Sequence, residues 1–549
     1  MSLLDKATII TTPTAHSEGK LHSIKGGSVA DFDVVRGSAA TRVNAEGLIE
    51  DIRVIGDEEI TNGDFSSGST NWALDGEVTI GGNLAHFESN TNTYSYIRQD
   101  IGSLTSKTYK IQLEVKNYVS GAVQVGFSGA GSIIQNLNVS TDGVYTAYLT
   151  PNANGDVFEV SREFNGGNFN FDITNISIVE VIDATNIPRI DYTDGTASIL
   201  LEPQSTNLLP YSEDFSQWTA INSSIVSNVI TSPSGEINAT KIVENSALGA
   251  HRLDLGTVAS ATQYTVSVFA KAGERSVLSF GGLGLYGNNE FVQYDLVNGT
   301  AINTGTTNNA TASIENYGNG WYKCAATYTA TGTSGLVIVM LDQLYTGNPN
   351  SATGQTYQGD GTSGLYIYGA QVEALPYATS YIPTNGAIAT RLADSVTGAG
   401  DATTFNDSEG VLYFEGSSLI NTSSADRVLS LSDRTVTNRV ELKLSATGLI
   451  QGRFDSAVSD VTLTKTGVDT SSNNKIALVW AIGKCALWVN GVKEQESLSF
   501  NTFTANTLTD VSFDSPFAGG SNKFKGKVKS VITFDTALTD AELECLTTI

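Results

Sequence analysis

The chain has 549 residues, which at roughly 150 residues a domain corresponds to three or four domains. Its formal net charge of −26, from 31 basic and 57 acidic residues, argues against a phosphate-binding surface and so against nucleic acid as a partner. No apolar run approaches the ~18 residues of a membrane span, and the first residues lack the apolar region of a signal peptide, so we expect neither membrane insertion nor standard secretion. The 54 glycines, 21 Phe and 21 Tyr are typical of short strands joined by tight turns. These properties predict an all-β fold.

Two segments of the chain repeat one another. Each copy opens on an Asp-Phe-Ser turn followed by a tryptophan, continues into an alternating apolar and polar strand, and closes on another strand. Alternation with period two places one face of a strand on a core and the other in water, so 57–182 and 206–385 are each predicted to form one β-sandwich. The matching segments are Thr61–Ser66 with Tyr211–Ser216, Trp72 with Trp218, Tyr109–Lys116 with Tyr264–Lys271, and Phe171–Glu180 with Leu365–Glu373.

The stretches that flank the first copy suggest that it is an insertion. Ala40–Glu50 ends just before it and Asn186–Tyr192 begins just after it. If these two stretches pack together, residues 1–56 and 183–205 form one small unit, interrupted by a sandwich whose ends lie close together.

Residues 386–549 follow a third pattern, which predicts another sandwich. Asn490-Gly491 supplies a turn signal because both residues tolerate positive φ. Thr539 and Glu542 have the spacing of a capping box, which predicts a short helix held on the sandwich by leucines. The predicted elements are the strands Glu409–Gly416 and Arg439–Leu444, the hairpin Lys475–Ala481 with Cys485–Val489, and the helix contacts Leu538, Leu543 and Leu546.

Little in the sequence supports catalysis. Three cysteines, Cys324, Cys485 and Cys545, are too few for a disulfide framework, which favours folding in a reducing cytoplasm. The four histidines are scattered, and neither H-E-x-x-H nor G-x-S-x-G occurs. The glycine-rich Gly282–Gly287 is followed by a predicted strand rather than a helix, so we interpret it as a turn. We expect no enzyme, although a carboxylate pair for glycoside cleavage stays open among 57 acidic residues.

Several segments of the sequence resemble virion structural and fibre proteins of tailed bacteriophages. They are Thr41–Asn44, Pro188–Tyr192, Ile199–Leu209 with Tyr211–Phe215, Gly369–Glu373 and Tyr377–Thr384. The resemblance covers roughly residues 1–56 and 183–390. It implies a virion location, an N-terminal region (1–56, completed by 183–205) that attaches to other virion proteins, and a homo-oligomer that by analogy with fibres is a trimer.

The sandwiches themselves resemble other families. The two copies are similar to galactose-binding-like jelly rolls used as carbohydrate-binding modules, and 386–549 is similar to concanavalin A-like, laminin G-type sandwiches, on Leu487–Gly491 and Phe534–Leu543. The jelly-roll resemblance implies a structural Ca²⁺ held by oxygen ligands of the first loop and the last strand. The matching positions are Asn62, Asp64 and Asp172 or Glu180 in the first copy, and Glu213, Asp214 and Glu373 in the second. Alternatively, Asp64 and Asp214 bond to their own backbone in Asx turns.

Sugar binding by stacking requires an exposed aromatic ring with polar neighbours. The candidates for glycan contact are Trp72, Tyr94, Tyr96, Trp218, Tyr286 and Trp321, whereas Trp480 and Trp488 are expected in the core. The loops 281–289 and 345–350 are further candidates, because binding functions concentrate on loops.

These observations favour a phage virion fibre or spike subunit made of tandem β-sandwiches. Its N-terminal region would attach it to the particle, and the sandwiches would present a host-surface glycan-binding site. Two alternatives stay open at this stage: a head fibre or decoration protein with a purely structural role, and a glycan depolymerase.

Overall fold

The computed structural model is almost entirely β, which confirms the predicted fold class. It describes residues 3–52, 54–91, 93–104, 107–128, 133–137, 139, 141–151, 155–162, 167–182, 185–259, 263–283, 291–303, 310–329, 334–342, 355–419, 427–445, 447–516 and 522–549. Helical structure in these ranges consists of the 3-10 turns Leu3–Lys6, Gly27–Ala30 and Phe215–Gln217 and one α-helix, α1 (Asp540–Thr547). No helix in the same ranges is long and apolar enough to cross a bilayer.

The inserted sandwich, residues 54–182, consists of two packed antiparallel sheets. Their strand orders are β13-β12-β15-β10-β7 and β14-β11-β16-β9-β8, with β6 added against β16. The alternating residues of β11 point Ile111 and Leu113 into the core between the sheets, as the pattern predicted. The N-terminal strands and those of this sandwich are β1 (Ala7–Ser17), β2 (Lys20–Ser23), β3 (Phe32–Val35), β4 (Ala40–Val43), β5 (Ile49–Ile52), β6 (Val54–Glu58), β7 (Ala73–Asp75), β8 (Val78–Gly81), β9 (Leu84–Ser89), β10 (Tyr96–Leu104), β11 (Thr108–Ser120), β12 (Val123–Ser128), β13 (Ile133–Asn136), β14 (Gly143–Leu149), β15 (Gly155–Arg162) and β16 (Phe169–Ile182).

The second sandwich, residues 206–385, follows the strand order of the first, with one further strand, β28 or β29, at an edge of each sheet. Its sheets run β20-β24-β31-β26-β27-β28 and β21-β22-β33-β25-β30-β29. The repeat seen in the sequence is therefore a repeat of strand order. The strands of this region and its entry segment are β17 (Ile190–Asp191), β18 (Ser198–Leu201), β19 (Ser205–Asn207), β20 (Thr219–Ile221), β21 (Ser223–Thr231), β22 (Ile237–Glu244), β23 (Leu248–Gly249), β24 (His251–Ala259), β25 (Gln263–Lys271), β26 (Val277–Leu283), β27 (Phe291–Asp295), β28 (Thr300–Asn303), β29 (Ala310–Asn316), β30 (Trp321–Thr329), β31 (Ser334–Asp342), β32 (Tyr357–Gln358) and β33 (Gly364–Glu373).

The third sandwich packs the sheet β40-β39-β38-β37-β44 against a larger sheet that contains β45-β36-β41-β42-β43. The predicted hairpin forms as β41 and β42, and Asn490 and Gly491 both take positive φ in the turn that follows. The strands are β34 (Ala389–Arg391), β35 (Ser395–Thr397), β36 (Gly410–Ser418), β37 (Arg427–Ser432), β38 (Arg439–Leu444), β39 (Ile450–Ser456), β40 (Ser459–Lys465), β41 (Asn474–Ala481), β42 (Lys484–Val489), β43 (Val492–Ser497), β44 (Asp510–Ser512) and β45 (Gly526–Phe534).

Helix α1 begins as the capping box predicts. The Thr539 hydroxyl accepts a hydrogen bond from the Glu542 N–H, and the Glu542 carboxylate accepts one from the Thr539 N–H. Leu538 and Leu543 are buried against the larger sheet, and Leu546 packs beside them. The cap and these leucines hold the end of the chain on the third sandwich.

The first three strands do not form a sheet of their own, whereas β4 and β5 pair with each other in a separate two-stranded sheet. β1 pairs with β45, with Ile10 opposite Ile532, and β2, β3 and β35 extend the same sheet. β18 pairs with the first residues of β45, whereas β6 joins the inserted sandwich. The predicted contact across the insertion is present, because the Tyr192 N–H donates to the Val43 carbonyl at 2.9 Å. Pairing with β1 and β18 also covers an edge of the third sandwich that would otherwise expose unpaired backbone groups.

A buried network of charged side chains joins these parts. The arginine network consists of Arg36, Arg189, Glu202, Arg391 and Asp394, and none of these side chains is more than 4% exposed. Arg189 Nη1 lies 2.6 Å from Glu202 Oε2, and Arg189 also donates to Asp394. Arg391 Nη1 lies 2.7 Å from the same Glu202 oxygen, and Arg36 Nη1 lies 3.0 Å from Asp394 Oδ1.

The network ties together segments that are far apart in sequence. Arg36 follows β3, Arg189 precedes β17, Glu202 follows β18, Arg391 ends β34 and Asp394 precedes β35. Burial by itself raises the pKa of Glu202, but attraction to Arg391 and Arg189 outweighs burial and leaves this pKa below its ordinary value. The carboxylate is therefore charged at neutral pH, and each buried charge depends on its partners.

We expect Arg189→Ala to lower the free energy of unfolding by about 3 kcal/mol or more, because it leaves Glu202 and Asp394 buried with fewer cations. Arg42→Ala is the matched control: its pair with Glu50 is partly exposed, so the expected loss is below about 1 kcal/mol. Calorimetric and denaturant unfolding of the intact chain measure both variants. Equal losses would contradict a special role for the arginine network.

Candidate functional site

The outer face of the sheet β13-β12-β15-β10-β7 carries a cluster of aromatic and charged side chains. Tyr96 and Arg98 flank Ile97 on β10, and because Ile97 is fully buried in the core, its two neighbours point outward. The pairing with β15 sets Glu159 opposite Arg98, and the pairing with β7 sets Asp75 opposite Tyr96. Residues that lie directly opposite in antiparallel strands share a face, so these four side chains form one surface.

Tyr94, just before β10, completes this surface. The ring centroids of Tyr94 and Tyr96 are 5.6 Å apart at an interplanar angle of 50°. The guanidinium carbon of Arg98 lies 3.7 Å from the centre of the Tyr96 ring. Arg98 Nε and Nη2 lie 2.7 and 2.6 Å from Glu159 Oε2, and the Tyr94 hydroxyl donates to Glu159 Oε1. We call these residues, together with Asp75, the tyrosine face.

The charges of the tyrosine face are held in defined states. Desolvation lowers the pKa of Arg98, but its hydrogen bond and attraction to Glu159 outweigh desolvation, and the pKa is raised. Desolvation raises the pKa of Tyr94, and the Glu159 carboxylate raises it further. Desolvation and a hydrogen bond to Asp75 do the same for Tyr96. At neutral pH the face therefore presents two neutral phenols beside a paired guanidinium.

The tyrosine face is shallow as well as aromatic. Gly126 on β12 lies opposite Glu159, so no side chain rises beside the Arg98–Glu159 pair from that strand. Aromatic rings contact the C–H groups of a sugar ring, while phenol, guanidinium and carboxylate groups can take its hydroxyls. The arrangement can thus hold a flat, hydroxylated ligand against Tyr94 and Tyr96.

Two of the other predicted glycan contacts lie in the core. Trp72 is 5% exposed, its ring centroid is 5.4 Å from that of Phe65, and its indole N–H donates to a backbone carbonyl at 3.0 Å. Trp321 is 2% exposed and also donates to a backbone carbonyl. Neither ring can reach a ligand in this conformation, because the strands that follow the turns bury both. Trp218 is partly buried against the second core.

Some predicted contacts lie outside the described residues. Tyr286 is one, as are most of the loop 281–289 and all of 345–350. Trp480 and Trp488 are core residues, as predicted. Cys324 and Cys485 are buried free thiols, and Cys545 is exposed and free.

The sequence did not point to Arg98, Glu159 or Asp75. Glu159 and Arg98 are 61 positions apart, and Asp75 lies on a third strand. The alternation of β10 could have placed Tyr96 and Arg98 on one face. Only the pairing of β10 with β15 and β7 adds the two acidic side chains.

The predicted calcium ligands of the first loops are occupied by hydrogen bonds within those loops. Asp64 Oδ1 accepts from the N–H and the hydroxyl of Ser66 at 3.1 and 2.9 Å. The Asn62 side chain bonds to the backbone of the same loop. In the second copy, Asp214 Oδ1 accepts from the Ser216 N–H at 3.1 Å. The contacts of Asp64 and Asp214 are those expected of Asx turns, the alternative to calcium binding that the sequence left open.

The remaining predicted calcium ligands lie in separate sets. Asp172 Oδ1 is 2.7 Å from His86 Nδ1. Glu373 accepts from the Ser205 hydroxyl at 2.6 Å and from the Thr379 N–H at 3.0 Å. Across the described ranges, no group of three or more His, Cys, Asp or Glu side chains is placed to hold a metal ion. These residues do not form a calcium cage as they stand, and calcium stays a prediction of the sequence.

Glu213, another predicted ligand, has an unusual environment. Its Oε1 accepts from the Tyr381 hydroxyl at 2.9 Å and from the Tyr368 hydroxyl at 3.1 Å. Burial raises the pKa of Glu213 to about 7 against the opposing effect of the two hydroxyls, and repulsion from Asp51 and Glu236 acts in the same direction as burial. The carboxyl is partly protonated near neutral pH.

No protein-family model matches the sequence, and no curated protein does. Parts of the chain are similar to solved carbohydrate-binding domains. The CBM40 module of the Ruminococcus gnavus IT-sialidase, solved with α2,3-sialyllactose, is 18% identical, with 28% of this chain and 93% of the module covered and a TM-score of 0.24. Domain 4 of the Geobacillus stearothermophilus arabinanase AbnA, in complex with arabinotriose, is 14% identical, with 32% and 81% covered and a TM-score of 0.24.

We expect Glu213→Gln to stabilise the protein at pH 8 and to change little at pH 5. The pKa of Glu213 is about 7 in the folded protein and 4.5 in the unfolded chain. The contribution of this carboxyl to the free energy of unfolding is therefore greatest below pH 4.5 and is lost as the pH rises through 7. The total loss is at most about 3 kcal/mol. Calorimetric melting from pH 5 to 9 should therefore show a flatter profile for the variant. Glu46→Gln, at an exposed turn, is the control, and a change of the profile by the control alone would contradict this account.

Proposed function

We propose that the protein is a virion fibre or spike subunit of a tailed bacteriophage that binds a host-surface glycan through the tyrosine face. The observation that carries the glycan-binding part is this surface: Tyr94 and Tyr96 beside a partly buried Arg98–Glu159 pair on the outer face of a sheet. The virion part rests on the resemblance of the sequence to phage structural proteins.

The second sandwich supports this assignment by contrast. Trp72 precedes β7 as Trp218 precedes β20, and the pairings of those strands set Arg252 and Asp254 of β24 where β10 has Tyr96 and Arg98. Arg252 Nε donates to Asp254 Oδ1 at 2.9 Å, so these positions hold an ion pair without an aromatic ring.

Part of the outer face of that second sheet is also closed to solvent. Ser279, Gln293 and Asp342 belong to it, since their strand neighbours lie in the core, yet all three are fully buried. A shared topology therefore offers a binding surface in the inserted sandwich and a covered one in the second. Weak binding by the tyrosine face is consistent with single sites that act together in a multivalent fibre.

The arginine network is consistent with a structural role in a fibre. Arg189 and Glu202 lie in sequence segments that resemble phage virion proteins. Ser380 lies in another such segment, and its hydroxyl donates a hydrogen bond to Glu202 at 2.7 Å. Such contacts fix the second and third sandwiches relative to residues 1–36. In this proposal the N-terminal region contacts other virion proteins, the chain forms a homo-oligomer, and antibody labelling of intact virions distinguishes a tail location from a head location.

We expect Tyr96→Ala to weaken glycan binding by about tenfold, which corresponds to about 1.4 kcal/mol, because it removes both the ring and the support of the Arg98 guanidinium. Tyr148→Ala is the matched control, since Tyr148 lies 43% exposed on the other sheet of the same sandwich. Binding of the intact chain to a glycan array, followed by calorimetry on hits, measures both. Equal losses, with folding intact by circular dichroism, would contradict the assignment of the face.

We also expect purified protein to leave host capsular polysaccharide at its original chain length, because the proposed role is adhesion. Size-exclusion chromatography before and after a long incubation measures this. Shorter chains, together with loss of cleavage on substitution of one acidic residue, would favour the depolymerase alternative instead.

A further inference from the structure

We propose that the tyrosine face selects uncharged sugars and disfavours anionic ones such as sialic and uronic acids. This inference rests on the proposed glycan-binding function and adds the class of ligand. It follows from the charges that strand register brings to the outer face of the inserted sandwich and from the partners that those charges already have.

Arg98 already has an anionic partner on this surface. Its Nε and Nη2 groups lie 2.7 and 2.6 Å from the same oxygen of Glu159, whose side chain is 2% exposed. Charge-assisted pairs in a desolvated setting are strong. A ligand carboxylate would either displace Glu159, which leaves that buried anion without its cation, or meet the exposed edge of a guanidinium whose charge Glu159 already offsets. The guanidinium is therefore poorly suited to recognise an acidic sugar, although its exposed edge can still meet a hydroxyl.

Strand register gives the remaining charges of the face. The residues that share it in the described part of the sheet are Ala73, Asp75, Tyr96, Arg98, Asp100, Val157, Glu159, Ser161, Gln124, Gly126, Ser128, Ile134 and Asn136. Only one of these is basic and three are acidic, which leaves the face with a formal charge of −2. The whole chain, at −26, adds a field of the same sign.

The unpaired acidic groups set the size of the effect. Asp75 and Asp100 are both exposed, and Asp75, on the edge strand β7, bonds to the Tyr96 hydroxyl. A unit charge about 7 Å from an anionic ligand, the distance expected for Asp75 from a ligand on Tyr96, disfavours it about threefold in a water-like dielectric. Asp100 lies four residues along β10 from Tyr96, about 13 Å away, and contributes about 1.7-fold. The two carboxylates together predict a preference of about fivefold for a neutral ligand over an otherwise identical anionic one.

The same groups suit a neutral sugar. A sugar hydroxyl both donates and accepts hydrogen bonds, so it can use the carboxylates, the phenols and the Gln124 amide. The apolar face of a pyranose ring can lie on Tyr94 or Tyr96 without any charge on the ligand. Neutral-ligand binding would change little with salt, whereas binding of an anion by a cationic site would weaken as salt screens it.

The test is a glycan array probed with the intact chain at about 50 and 500 mM salt, which spans strong and weak screening. The array carries neutral and acidic glycans and includes matched pairs, such as lactose and α2,3-sialyllactose, that differ by one acidic sugar. Tyr96→Ala reports whether a signal comes from the tyrosine face. Asp75→Asn, which removes the acidic group opposite Tyr96 and keeps both rings, should raise the binding of acidic partners about threefold relative to their neutral counterparts.

We expect neutral glycans to bind in a manner that depends on Tyr96 and changes little with salt, with acidic partners about fivefold weaker at about 50 mM salt. Acidic glycans bound equally well or better, with the same dependence on Tyr96, would overturn the selectivity and leave the glycan function standing. Absence of binding to any glycan, or binding that Tyr96→Ala leaves unchanged, would overturn the glycan-binding role of this face itself.

Discussion

The arrangement of the second and third sandwiches relative to each other depends on ion pairs between buried arginines and carboxylates. Arg189 contacts both Glu202 and Asp394, and Arg36 and Arg391 complete the set without solvent access. Desolvation makes each of these charges costly alone, so the segments that carry them stay together or separate together. A hydrophobic joint could slide, whereas directional ion pairs fix one arrangement. Such rigidity suits a chain proposed to extend from a particle.

The two jelly rolls show how one topology supports different surfaces. Their strand orders correspond, and Phe65 and Phe215 fill the same core position after the first turn. Their outer faces differ, because the core constrains only every second residue of a strand, and the residues between are free to vary. At the position of Tyr96 the second copy has Arg252. Function in this fold is set by the outward-facing residues, which the repeat does not preserve.

The sequence predicted part of the candidate site and missed the rest. It singled out Tyr94 and Tyr96 because exposed aromatic residues suit sugar contact, but it gave Trp72 and Trp321 equal standing, and both are core. Aromatic residues are large and apolar enough to serve either purpose, so composition cannot separate the two uses. Glu159 was invisible as a partner of Arg98, since 61 residues separate them and only strand pairing places one opposite the other.

The sequence by itself determined the β class, the two-copy repeat, the hairpin at Asn490-Gly491 and the capped C-terminal helix, because each depends on neighbours within a few residues: alternation, turn conformation and local caps. Only the tertiary structure decided that β1 lies on β45, that the arginine network forms, and that Asp75 joins Tyr96 on one face. Those arrangements depend on register and burial between segments as much as 527 residues apart, and no local sequence pattern specifies which strand will be the neighbour.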